Sequence, residues 1–396
     1  MTNPYGGRRR VRFGTFDAES WWRPDDLAVL PSVGGGDPTV ATMDELLAGF
    51  CAPGDLLITR RPVDADLLAG YGVAFDHQSV DTPGPGPIEQ YLPPLNQVPA
   101  PYAVLTPFPS LPSPEIVAQV NSKTWSNNLV VELGLPGAGQ VVRSPDELVA
   151  AVTDFPALVK DPYGVSGRSL LEITTPGILR AIERVLRKQP DKRVELVVQK
   201  KYPKKHDFSG HLQLGQDGTW EFLGLQQMTN KGFRHHGSGP APSALIDEGW
   251  YADSLGDVVA ALHAAGYWGP VGVDAMLLDD DSVVPVLEIN ARQSLGLLAL
   301  HLNRRSDDLT AHLWQLELNL APGKGIRDVL HALADCLTTG ERPGAMVLNG
   351  SHLTAPGGRV HVAIFCPDGE LMRWQHRLLA AVTAAGLTPR GKSDAA

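Results

Sequence analysis

The chain has 396 residues, of which 43% are hydrophobic and 20% charged, and a formal net charge of −10. Its length implies two or three packed subdomains, its composition is that of a folded chain, and the acidic balance excludes the large basic face that nucleic acid would need. No apolar run approaches ~20 residues and the amino terminus lacks an apolar signal core, so neither a membrane span nor secretion is expected. Cys51, Cys336 and Cys366 lie far apart without C-x-x-C spacing. They suit a reducing compartment, and a cytoplasmic protein is expected.

Taken in order, strands are predicted at 11–16 and 55–59, with a helix at 43–50, giving a small α/β unit after the short basic cluster Arg8-Arg9-Arg10. Between 81 and 114 stand eleven of the 33 prolines. They exclude a long helix and predict an irregular connector. Ser113-Pro114, Asn121-Ser122-Lys123 and Ser144-Pro145 read as helix starts. A buried strand at 156–160, a loop, a strand at 170–173, a helix at 175–188 and a strand at 193–199 follow. A hairpin is predicted at 209–227 around Gln216-Asp217-Gly218. Residues 228–243 have no periodicity and read as a Gly/His-rich loop. Helices are predicted at 248–265, 295–302, 308–318 and 326–337, then a strand at 359–365 and a helix at 372–387. Trp21 and Trp22 read as packing residues.

The stretch Val271–Arg292 reads as two apolar strands around the polar turn Asp279-Asp280-Asp281-Ser282. A turn centred on Asp281 pairs Asp274 with Glu288, and Asn290 leaves the same face two residues on. Two carboxylates and an amide oxygen converging from apolar strands suit a hard divalent cation; the alternative is an acidic, wet sheet face. Arg292 keeps the same parity and makes the place suitable for anions.

Lys160 and the loop through Gly164, Ser166, Gly167 and Arg168 combine exposed backbone N–H groups, a hydroxyl and two cations, the parts of a polyphosphate cradle. The loop matches neither the P-loop nor the G-x-G-x-x-G pattern, and a plain hairpin turn is the competing reading.

Together these stretches, from about 121 to 303, resemble the ATP-grasp superfamily of carboxylate–amine ligases. The resemblance implies an α/β (α+β) ATP-grasp fold. An N-terminal pre-ATP-grasp domain with its connector would cover 1–115, the lid subdomain 116–200, a second subdomain with the metal hairpin 201–320, and a small C-terminal α+β unit 321–396. It implies ATP and Mg²⁺, with Asp274, Glu288 and Asn290 as metal ligands. Lys123, Lys160 and the 164–168 flap would hold phosphates. The hinge Gln199, Lys200, Lys201 and Tyr202 would meet adenine, and Asp207 the ribose. Lys160, Arg168 and Arg292 would carry catalytic charge. Two departures stand out. The hinge has Gln199-Lys200 where a glutamate is frequent, and Gly272 stands where D-alanine–D-alanine ligases have arginine. The pattern looks more like actinobacterial peptide ligases of natural-product pathways, such as the pheganomycin type.

The expected reaction is amide formation through an acyl phosphate, from small carboxylate and amine substrates, with no nucleic acid or membrane partner. The resemblance leaves room for a homodimer. The loops at 163–169 and 228–239 are candidate lids, and His235 and His236 candidate substrate contacts. The alternatives are an ATP-dependent carboxylase and a nucleotide-binding regulator without catalysis.

Overall fold

The computed structural model describes residues 10–14, 19, 22–31, 38–79, 102–105, 112–164, 170–232 and 234–390. In the N-terminal unit β1 (Arg10–Phe13) lies parallel to β2 (Leu56–Thr59), and β2 lies parallel to β3 (Asp76–Ser79). A 3₁₀ helix, Pro38–Phe50, precedes β2, and α1 (Ala65–Ala69) follows it. The proline-rich connector is not wholly irregular. Its residues Tyr102–Leu105 form β4, antiparallel to β1. Most of the rest of the connector lies outside the described residues, as does Trp21; Trp22 packs against the main core.

The helix starts are where the caps place them. Ser113 accepts from the Ile116 amide at the head of α2 (Pro114–Val120). Ser122 precedes α3 (Lys123–Glu132), which stops before Gly134 at φ 62°. The segment expected as the lid forms a four-stranded antiparallel sheet, β5 (Gln140–Val142), β6 (Ala157–Lys160), β7 (Leu170–Ile173) and β8 (Leu196–Lys200), in the order β5-β8-β6-β7. Two helices back it, α4 (Pro145–Ala151) and α5 (Pro176–Arg187). Leu148, Leu179, Ile182 and Leu186 pack on Val142, Val159, Ile173, Leu196 and Val198. The alternate residues, Lys160 and Gln199 among them, therefore face away from these helices.

The largest element is a nine-stranded sheet. It holds β9 (Lys204–Leu214), β10 (Trp220–Lys231) and β11 (Arg234–Pro240). One face is covered by α6 (Glu248–Ser254) and α7 (Gly256–Ala264), whose Tyr251, Leu255, Val258 and Leu262 meet Phe208, Leu212, Val271 and Val273. A single helix was expected at 248–265; the chain breaks it at Leu255. Next come β12 (Gly269–Leu278) and β13 (Val283–Asn290). Then α8 (Leu295–Asn303) lies on the other face, where Leu297, Leu298 and Leu302 join Leu46, Leu47 and Leu57 of the N-terminal unit.

Two expectations fail here. Residues 228–243 are not a loop or a lid: β10 runs to Lys231 and β11 returns antiparallel to it. Residues 308–318 are not a helix but β14 (Thr310–Asn319), which pairs with β11. After α9 (Ile326–Ala332) come β15 (Gly344–Val347) and β16 (Gly357–Cys366). β16 pairs with β14 residue for residue from Thr310↔Cys366 to Asn319↔Gly357, so strands from 201–320 and 321–396 share one sheet. The chain ends on α10 (Leu371–Ala384) and a two-residue β17 (Thr388–Pro389) against β14. The three cysteines are buried and free, and no described helix is long and apolar enough to cross a membrane.

Candidate active site

The hairpin β12–β13 turns with Asp281 at φ 63°, and Asp274 and Glu288 are direct partners across it. Asn290 stands opposite Gly272, and its Nδ2 donates to Asp274 Oδ2 at 3.1 Å. A Cβ at Gly272 would lie 3.2 Å from the His211 ring, so a side chain there would crowd that ring. Burial, and next the charge of Glu288, push the Asp274 pKa up to about 7. Burial works the same way on Glu288, but Lys123 and Lys160 outweigh it and hold its pKa below the ordinary value. One acid of the pair is thus fully ionised and its neighbour resists ionisation. A divalent cation would relieve that conflict. Among the described residues no group of three His, Cys, Asp or Glu side chains is placed to hold a metal, and beside the carboxylate pair stands the Asn290 amide.

Cations reach the pair from the lid side. Lys123, first residue of α3, donates through Nζ to Glu288 Oε1 at 2.7 Å and to the Gly164 carbonyl at 2.5 Å. Its backbone N–H donates to Pro162 O at 2.9 Å, so the base of the flap is tied to the helix start. Lys160, at the end of β6, is 8% exposed; burial lowers its pKa although Glu288 pulls the other way. Asn121 and Ser126 fix the far strand, Asn121 Nδ2 donating to Ala291 O at 3.1 Å and Ser126 Oγ accepting from Ile289 N at 3.2 Å.

Arg292 is held by Glu19, Nη2 to Oε1 2.7 Å and Nε to Oε1 2.9 Å. Burial opposes its charge, and Glu19 more than compensates, so its pKa stands above the ordinary value. Four residues on, Arg23 Nη1 donates to Asp161 at 2.5 Å, next to Lys160. Glu19 and Arg23 therefore hold the hairpin's exit and the end of β6, respectively. Nothing local in the sequence marks Glu19 or Arg23; both act across more than a hundred residues.

Asp207, on β9 two residues before Ser209 of the Ser209–Asp274 pair, accepts from Asn230 Nδ2 at 2.7 Å and pairs with Lys204. Gln199 is 6% exposed and bonds the Gly137 carbonyl through Nε2. The hinge side chains beyond it turn outward. Lys200 lies over the Tyr202 ring at 6.0 Å, and Lys201 pairs with Glu172 at 2.7 Å. Ser166, Gly167 and Arg168 lie outside the described residues. His235 stands in β11, and burial together with His236 lowers its pKa to about 4.

No protein-family model and no curated protein matches the sequence. Among solved structures, the ADP complex of N5-carboxyaminoimidazole ribonucleotide synthetase superposes over 69% of this chain and 74% of its own, with a TM-score of 0.51 at 13% identity. The fold is ATP-grasp. Two further structures lie below that likeness. The Staphylococcus aureus N5-carboxyaminoimidazole synthetase with ADP covers 68% of this chain and 73% of its own, at 13% identity and a TM-score of 0.48. The biotin carboxylase domain of Hydrogenobacter thermophilus 2-oxoglutarate carboxylase, with MgADP and bicarbonate, covers 70% and 68%, at 13% identity and 0.45. In this chain the acidic hairpin of the nine-stranded sheet meets Lys123 of α3 and Lys160 of the four-stranded sheet.

Proposed function

We propose that this chain is an ATP-dependent carboxylate–amine ligase. The observation that carries the reading is the Asp274–Glu288 pair, in register and ringed by Lys123, Lys160 and Arg292. In the first half-reaction a substrate carboxylate oxygen bonds to the γ-phosphorus of ATP and the bond to the β-phosphate oxygen breaks, releasing ADP. In the second, an amine nitrogen bonds to the acyl carbon, phosphate leaves and the amine gives up a proton. The product is an amide, and we infer a peptide bond in a natural-product pathway.

Two anions must meet in the first half, so charge neutralisation matters more than acid–base chemistry. Asp274, Glu288 and Asn290 would hold Mg²⁺, which when bound neutralises phosphate oxygens. Lys160 and Lys123 screen the same oxygens from the lid, and Lys123 must exchange Glu288 for phosphate to do so. Asp207 and the backbone of 199–202 would take the nucleoside. Arg292, pinned by Glu19, presents a fixed fork to the transferred group or the tetrahedral oxyanion. Arg168 would add further positive charge, and water would have to be kept from the acyl phosphate.

The test is ADP release over a panel of amino acids and short peptides, with products read by mass spectrometry. The ligase forms amide and ADP together, and folded Glu288→Ala and Arg292→Ala variants lose at least about tenfold in turnover, the scale of one charged hydrogen bond. Wild-type turnover in both variants overturns the assignment. Bicarbonate-dependent ADP release without any amine selects the carboxylase alternative.

A further inference from the structure

The row of side chains that contains Glu288 and Asp274 does not end with them. Asp274 pairs with Ser209 on β9, and Ser209 pairs with Gln226 on β10. Met228, two residues on from Gln226, pairs with Ser238 on β11. His211, two on from Ser209, bonds it through Nε2 at 2.9 Å. Paired and alternate residues share a face, so all four polar side chains stand on the face of the carboxylates. At one strand spacing per step, Gln226 is ~10 Å from Asp274.

These side chains are deeply buried: Ser209 2%, His211 2%, Gln226 0% and Ser238 4% exposed. Yet Gln226 Oε1, Ser238 Oγ and His211 Nδ1 have no hydrogen-bond partner among the described residues. Among the described residues Gln226 Nε2 reaches only the neighbouring Leu225 carbonyl, at 3.2 Å. Buried polar atoms are almost always paired, because an unpaired one weakens the fold. Three on one face, beside the acidic pair, point to a ligand that completes them. The α8 start closes over the same place: a Cβ on Gly296 would fall 2.4 Å from His211 Nε2.

The chemistry of the row selects the ligand. Gln226 Oε1 can only accept, so it needs an N–H or O–H. Burial keeps the His211 ring uncharged, its pKa pushed down to about 3. An uncharged, acceptor-rich surface gives an anion such as bicarbonate nothing to pair with, and it favours an amine in its free-base form, the form that attacks. We propose that Gln226, Ser238 and His211 form the floor of the amine-substrate subsite, which takes a neutral amine carrying further N–H or O–H groups, and that Gln226 sets specificity for it. This rests on the ligase reading above.

The probes are the twenty amino acids and their amides, each offered as amine with ATP and Mg²⁺, amide being read by mass spectrometry. For the most active amine, Gln226→Met and Ser238→Ala should each raise the amine KM by at least about fivefold, the scale of one neutral hydrogen bond. The ATP KM should stay within twofold. Without ligands, Gln226→Met should melt no lower than wild type and about 2 °C higher if the full desolvation penalty is relieved. Amide formation by the wild type with unchanged amine KM in both variants overturns the subsite alone. A wild type that releases ADP with bicarbonate and forms no amide removes the ligase reading and the subsite with it. A Gln226→Met protein several degrees less stable, with both KM values raised together, assigns Gln226 a packing role and also overturns the proposal.

Discussion

Arg292 and Glu19 are joined by a 2.7 Å ion pair across 273 positions of sequence, with side-chain exposures of only 15% and 5%. A charge so enclosed loses more from a missing partner than from a missing pair. Glu19→Ala should therefore destabilise the protein by about 3 kcal/mol, and the double variant Glu19→Ala/Arg292→Ala by clearly less than the sum of the singles. Urea unfolding of the four proteins checks this; strictly additive losses would mean that the contact is energetically idle.

Asp274 and Glu288 repel one another, and the Arg292 charge and the Asn290 hydrogen bond do not offset that repulsion and the burial of Asp274. Asp274→Asn should raise the melting temperature of the ligand-free protein. It should weaken Mg²⁺-dependent nucleotide binding by roughly a hundredfold, beyond the usual loss for an outer-shell partner. Melting curves with and without MgATP report both effects, and an undiminished MgATP shift in the variant counts against the metal assignment.

Far from the cleft, Glu45 is 2% exposed and accepts from the Gly350 amide at 2.8 Å and the Ser351 amide at 3.2 Å. Burial pushes its pKa up to about 7 from 4.5. The folded state thus holds its proton more tightly than the unfolded one. The corresponding stability is complete below pH 4.5 and lost as pH rises to about 7. At 1.36 kcal/mol per unit the loss is about 3 kcal/mol. Glu45→Gln should flatten the unfolding free energy over this window relative to wild type; parallel curves would show that Glu45 does not titrate there.

Gly237 and Gly239 explain why β11 reads as a loop. A Cβ on Gly237 would sit 2.6 Å from the Leu313 carbonyl oxygen, and one on Gly239 2.2 Å from His312 Nδ1. Backbone cannot yield, whereas a histidine ring can turn aside. Gly237→Ala should cost about 2–3 kcal/mol and Gly239→Ala less, by chemical denaturation. The reverse order would contradict the strand pairing.

Legibility followed locality. The register of Asp274 and Glu288 could be read because a polar turn sits midway between two apolar strands, and the capped helices because Ser113, Ser144 and Thr175 each accept from the amide three residues on. β11 was hidden because its glycines serve close approach rather than turning. β14 was hidden because Leu309, Leu313 and Leu316 fall at helical spacing, while buried Gln315 breaks the alternation of a strand. Glu19, Gln226 and Ser238 acquire meaning only from neighbours that other strands supply.

The β14–β16 ladder has a practical corollary. Arg390 donates its amide to Glu317 O at 2.8 Å and its side chain to Asn319 Oδ1 at 2.5 Å. Trimming the chain to a minimal catalytic fragment would strip the partner from the very strand that abuts β11, leaving an open edge free to recruit other molecules. On the ligase reading the tail supports the sheet that carries the acidic hairpin, and a truncation series should aggregate before it loses turnover.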